Sequence, residues 1–185
     1  MHPHILPPPP SQLKDHLLLA SPALNNSIFD QSCILITSQS NSAHEGFIIN
    51  HQSHQHVSDI LKHLKGTELG KLPLHLGGPV RPDTVNFIRL SSAQGKFHLQ
   101  HGLKMETAAA QLQQADTKIL ACLGYAQWAP QQLEQEFDHF TWFHRRPPAD
   151  LAQRYLNTEL WKTLLTEVSP YHELIANAPP SPRRN

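Results

Sequence analysis

The chain has 185 residues, 39% of them hydrophobic and 16% charged, with 15 basic and 15 acidic side chains. That length supports one domain with a real core, and the recurring apolar runs exclude a disordered chain. Zero formal net charge, with no basic cluster beyond Arg145-Arg146 and Arg183-Arg184, argues against direct nucleic-acid binding, which needs a basic face to neutralise phosphates.

Residues 1–12 read as a disordered Pro/His-rich tail, because the run Pro7 to Pro10 stays extended and buries nothing. Residues 177–185, rich in Pro, Ser and Arg, read as a second tail, leaving a domain over 13–176. The N-terminus lacks a charged segment leading into an apolar one, so no signal peptide is expected. The apolar runs fall short of the ~18–20 residues a membrane span needs. The expectation is a cytoplasmic protein without a membrane partner.

Within the domain, Leu17-Leu18-Leu19-Ala20, Cys33-Ile34-Leu35-Ile36 and Gly46-Phe47-Ile48-Ile49-Asn50 read as strands. The spacing of the last two predicts a hairpin through Gln39 to His44. Val57, Ile60, Leu61 and Leu64 follow the i, i+3, i+4, i+7 rule of an amphipathic helix, with Ser53 as its cap. Leu74-His75-Leu76 is a short strand ending at Gly77-Gly78-Pro79. Asn86 to Leu90 and Phe97 to Leu99 form a further pair, Met105 to Leu112 a second helix, and Lys118 to Leu123 a buried strand. Gly124 then reads as a turn. Pro130 suits the first turn of a third helix, with Ala129 as cap and Trp128 and Leu133 at the spacing of a hydrophobic staple. Leu151 with Tyr155, then Leu160 to Leu165, give two more helical patterns. The order predicts an α+β or mixed α/β fold with antiparallel hairpins.

The chemistry-bearing groups each have a structural reading beside the functional one. His51, His54, His56 and His63, and the pair His98 and His101, match no zinc signature, so no metal is expected. Cys33 and Cys122 lie in apolar runs and read as buried reduced thiols, which burial deactivates. No Gly-x-Ser-x-Gly elbow and no nucleotide-binding glycine fingerprint occurs, so neither a nucleophilic serine nor a cofactor is expected. Gly77-Gly78 reads either as a backbone nest for an anion or as a tight turn. Glu134 and Glu136, two residues apart, do not share a helix face. Trp128 reads as a staple or as a ligand platform.

Several blocks occur in order: Leu19-Ala20-Ser21-Pro22-Ala23-Leu24, Phe29-Asp30, Gly46 to Asn50, Leu76-Gly77-Gly78-Pro79-Val80, Leu123 to Trp128, and Gln132 to Glu136. Together they resemble the YqgE/AlgH family of bacterial proteins over about Leu17 to Tyr155. The resemblance implies an α+β fold, a bent or barrel-like sheet surrounded by helices, and no established biochemical activity. One branch carries a transcriptional-regulator label. The chain departs from the pattern at His51 and Gln52, where the family usually has Lys or Arg and then Pro. It departs also at Gln39, His44, Glu45, Leu90, Gln127, Ala129 and Gln131.

The reading is a divergent YqgE/AlgH-like protein, a non-enzymatic binding or regulatory module with no catalytic residues, whose partner is an unknown protein or small molecule. The rival reading is an enzyme or small-ligand binder. Its cleft would use Asn50, His51, Gly77, Gly78, Tyr125, Trp128 and Glu134.

Overall fold

The computed structural model describes residues 12–168 together with His172, Leu174, Ile175 and Asn177. Of the tails expected at residues 1–12 and 177–185, all but Gln12 and Asn177 lie outside the described residues. Among the described residues nine strands form one mixed sheet in the order β4-β5-β8-β3-β2-β1-β9, with β6 also on β8 and β7 beyond β6. They are β1 (Leu17–Ala20), β2 (Cys33–Gln39), β3 (His44–Ile48), β4 (Gln52–His56), β5 (Pro73–Leu76), β6 (Val80–Ala93), β7 (Lys96–Leu103), β8 (Thr117–Trp128) and β9 (Trp142–Arg145). The helices are α1 (Val57–Ile60), α2 (Met105–Gln111), α3 (Pro130–Asp138) and α4 (Thr158–Thr166). The fold is α+β, and the sheet is open rather than closed into a barrel. No helix among the described residues is long and apolar enough to cross a membrane.

The continuous apolar runs of β1 and β2 follow from burial on both faces. Leu17, Leu19, Cys33 and Leu35 point into one core with Trp161, Leu164 and Leu165 of α4. Their neighbours Leu18, Ala20, Ile34 and Ile36 point the other way, to Leu133 and Phe137 of α3. Alternation along a strand sends neighbouring side chains to opposite faces, so α4 covers one side of the sheet and α3 the other. A third core joins Val57 and Leu69 to Leu74, Phe87, Ala108 and Ile119. The Trp161 indole N–H donates to the carbonyl of Ala20 at 2.9 Å and fixes α4 to β1.

Three expectations change. The segment after Leu123 is no turn: β8 runs on to Trp128. Gly124, at φ +64°, sits instead at a break in register with β6: Leu123 pairs with Val85 and Tyr125 with Val80, so the extra residues lie on β6. Before it, Leu120 and Cys122 face the α4 side and Ala121 and Leu123 the third core; after it, Tyr125 joins the α4 side and Ala126 and Trp128 the α3 side. The left-handed residue has exchanged which parity of β8 faces the α4 side. The edge of β8 that pairs in parallel with β5 through Ala121–Leu123 passes at that point to antiparallel pairing with β3 through Ala126–Trp128.

The helix expected from Val57 to Leu64 is also shorter than its pattern. α1 stops at Ile60 and a separate single turn covers Lys62–Leu64. Its cap is His56, whose backbone N–H donates to Asp59 at 2.7 Å, while Ser53 lies within β4. Lastly, the pattern Leu151 with Tyr155 yields only one turn, Leu151–Gln153. The third helix starts where expected, with Pro130 in its first turn and Ala129 as cap.

Candidate functional site

Asn50 lies two residues beyond the end of β3 and is fully buried. Its Oδ1 accepts from the backbone N–H of Cys33 at 2.7 Å, and its Nδ2 donates to the carbonyl of Gln31 at 2.8 Å. The side chain therefore latches the loop before β2 to the end of β3. A buried amide satisfied at both ends by backbone is a fold-holding group.

His51 and Gln52 come next and turn outward. With Asn50, Leu76, Asn157 and Thr158 they line an open groove of about 440 Å³. Two of its walls come from the β4–β5 ladder, where Gln52 sits opposite His75. The third is the start of α4: Asn157 is its cap, with Oδ1 accepting from the N–H of Glu159 at 3.1 Å. Leu76 is 51% exposed in this groove, an apolar surface beside amides, a hydroxyl and an imidazole. Burial holds the His51 imidazole below its ordinary pKa, although the Asp30 and Gln31 backbone and the Asp30 carboxylate favour its proton. Behind the groove wall, His75 is almost fully buried and pushed down to about 4 by that burial, against the pull of the Ile49 backbone and with help from Lys118 and His51.

Gly77 and Gly78 lie elsewhere, where the chain crosses β8. The N–H of Gly77 donates to Leu123 at 2.8 Å and its carbonyl accepts from Ile48 at 2.9 Å, so it bridges β8 and β3. A Cβ on Gly78, at φ +152°, would come within 2.2 Å of the Tyr125 backbone, and one on Gly124 within 2.4 Å of the Gly78 carbonyl oxygen. The two glycine motifs thus interlock backbone against backbone.

Tyr125 is half-buried against Phe47, ring centroids 6.4 Å apart. Trp128 is buried and shares the α3-side core with Leu133. Its indole N–H donates to Glu136 Oε2 at 3.0 Å, and the same oxygen accepts from Trp142 Nε1 at 2.6 Å. Phe29 stacks on Trp128 and meets Trp142 edge-on. Glu134 is exposed on α3, and its charge acts on His44, whose pKa burial lowers.

Of the seven residues singled out from the sequence, the groove brings together Asn50 and His51; the other five serve the backbone crossing, the aromatic core and the outer face of α3. Leu76, Asn157 and Thr158 complete the groove and were not singled out. Asn157 ahead of the Leu160–Leu165 pattern signals a helix start, but nothing local says that this start meets β4. Cys33 and Cys122 are fully buried and reduced. Burial raises both thiols, Cys122 to about 12, so neither supplies a thiolate. Among the described residues no group of three or more His, Cys, Asp or Glu is placed to hold a metal.

Comparison with known proteins agrees with this architecture. The AlgH-like family model matches residues 17–172. The chain is 30% identical over 182 residues to a UPF0301 protein of Chlorobium limicola, covering 91% of this chain and 94% of that one. A UPF0301 protein of Legionella pneumophila is 30% identical over 143 residues, 71% of this chain and 76% of its own. The crystal structure of a Corynebacterium diphtheriae protein superposes with a TM-score of 0.70 at 20% identity, covering 91% and 93% of the two chains. The solution structure of AlgH from Pseudomonas aeruginosa gives 0.66 at 22% identity, covering 95% and 98%. At those identities the structures speak for the fold alone.

Proposed function

The chain belongs to the AlgH-like family, and we propose that it is a non-enzymatic binding module that takes a small polar ligand in the groove between His51-Gln52 and the start of α4. One observation carries this reading. The groups that chemistry would need are committed to the fold, whereas the groove presents uncommitted recognition groups around an exposed leucine. Asn50 is used at both ends by backbone, Glu136 by two indoles, and both thiols are sealed in core. Gln52 and Thr158 are exposed, and Leu76 offers an apolar wall. Concave apolar surface with a few convergent polar groups is the usual form of a small-molecule site.

The departures from the family pattern fall here in an informative way. Where the resemblance leads one to expect a fixed cation and a proline, His51 and Gln52 give a titratable imidazole and a neutral amide. The ligand expected is therefore uncharged at this point, an amide- or hydroxyl-bearing molecule with a small apolar group. A regulatory role would work through such a ligand or through a protein partner. Balanced charge speaks against DNA as that partner.

The test is a thermal-shift screen of amino acids, amides, nucleosides and sugars against wild type, Gln52→Ala and Leu76→Asp. Both positions are exposed, so the variants fold. Shifts with one ligand class that both variants abolish support the reading. Shifts that survive both variants, or turnover of the ligand, overturn it.

A further inference from the structure

A second groove opens on the other side of Asn157, between α4 and the segment that follows the turn Leu151–Gln153. It holds about 510 Å³ and shares only Asn157 with the first groove. Arg154 and Tyr155 form one wall. Glu159, Thr163 and Glu167, at four-residue intervals, form the other, beside buried Leu160.

Most of the polar groups here are already engaged. Arg154 Nε donates to both oxygens of Asp150 at 3.1 Å, and its Nη1 donates to Glu167 Oε1 at 2.7 Å. Glu167 Oε2 accepts from Arg145 Nη1 at 3.0 Å. Two guanidiniums and two carboxylates thus cancel in charge. The Thr163 hydroxyl donates to the carbonyl of Glu159 at 3.0 Å, and Asn157 Oδ1 caps α4. The Glu159 carboxylate, by contrast, makes no hydrogen bond or ion pair among the described residues. Its charge suits the first turn of α4, but its oxygens are left to solvent. Lys162 does not line the groove. Across from Glu159, the Tyr155 side chain is 87% exposed.

These groups select a ligand. A free carboxylate attracts a cation, and an aromatic face binds an ammonium within ~6 Å of the ring centroid. Leu160 favours an alkyl stem. An anion would meet the carboxylates of Asp150, Glu159 and Glu167 around the one guanidinium of Arg154. A neutral molecule would displace water from Glu159 without compensating its charge. We propose that this groove binds a free aliphatic amine, its ammonium held between Glu159 and the Tyr155 ring and its stem lying over Leu160. The site is independent of the ligand in the first groove.

The experiment is a backbone amide chemical-shift titration of the full chain at neutral pH with pentylamine, 1-pentanol and hexanoate, which share a stem and differ in charge. Pentylamine is expected to shift residues 154, 155, 159, 160 and 163 saturably, and the other two probes to leave them in place. Glu159 and Tyr155 are exposed, so their variants fold. Glu159→Gln and Tyr155→Ala should each weaken pentylamine binding about threefold or more. Tyr155→Phe keeps the ring, Glu106→Gln removes the same charge from α2, and Gln52→Ala alters only the first groove; all three should bind pentylamine as wild type does. Absence of a saturable shift, equal shifts with 1-pentanol, or unchanged affinity in Glu159→Gln or Tyr155→Ala overturns the proposal. So does an equal loss in Glu106→Gln, which would reduce the effect to net charge, or a loss in Gln52→Ala, which would place the amine in the first groove.

Discussion

Asn50 shows how a residue that marks a family can serve the scaffold. Both of its polar ends meet backbone in a fully buried setting. Asn50→Ala should cost about 2–4 kcal/mol in urea-induced unfolding, because it strands a buried N–H and a carbonyl and leaves a small void. Loss of ligand binding in that variant would then report the latch, not the groove, and Gln52 and Leu76 are the residues that separate the two. Gly124→Ala faces a left-handed backbone and a contact of 2.4 Å to the Gly78 carbonyl. It should destabilise by about 3 kcal/mol or more, or fail to fold, as measured by circular dichroism. The sequence pointed to Asn50 and to the glycines as special positions. Their partners, Gln31, Cys33 and the backbone of Tyr125, depend on the path of the chain, which local spacing does not encode.

At the scale of elements, legibility followed how local each signal was. The start of α3 was readable because Pro130 and the Trp128–Leu133 spacing act within one turn. β8 was cut short because glycine in a strand pattern reads as a turn, whereas here it reverses strand parity and lets one strand serve three cores. α1 was overextended because the same apolar spacing also fits a helix that breaks and restarts. Glu136 does not share a helix face with Glu134, yet it accepts from the indoles of both Trp128 and Trp142. Glu136→Ala should leave two buried indole N–H groups unpaired and cost about 2–4 kcal/mol, with a shift in tryptophan emission on the same variant. Two departures from the family pattern also prove to be neighbours: Glu45 and Gln127 face each other between β3 and β8, and Gln127 Nε2 donates to Glu45 at 3.2 Å. The pair holds a strand ladder and leaves the groove untouched.

At the scale of the whole molecule, burial of imidazoles makes the fold sensitive to acid. His75 is pushed down to about 4 from 6.5. Below pH 6.5 the unfolded chain takes up a proton that the folded chain refuses until about pH 4, so stability falls as pH falls through that window. His75 alone accounts for about 3 kcal/mol of the loss. His16, His44, His51 and His172 are lowered by burial too and act in the same direction. Equilibrium unfolding at stepped pH should show the decline, and His75→Asn should flatten it; a level profile from neutrality to pH 4 would contradict the burial of these rings. The proposed ligand would sit in the groove that this scaffold leaves open beside α4. The most direct measurement is a backbone amide chemical-shift titration of the full chain with whichever molecule stabilises it thermally. The account predicts that the shifts gather at residues 51, 52, 76, 157 and 158. Shifts centred on Gly77-Gly78 and Tyr125, or spread over the outer face of α3, would contradict it.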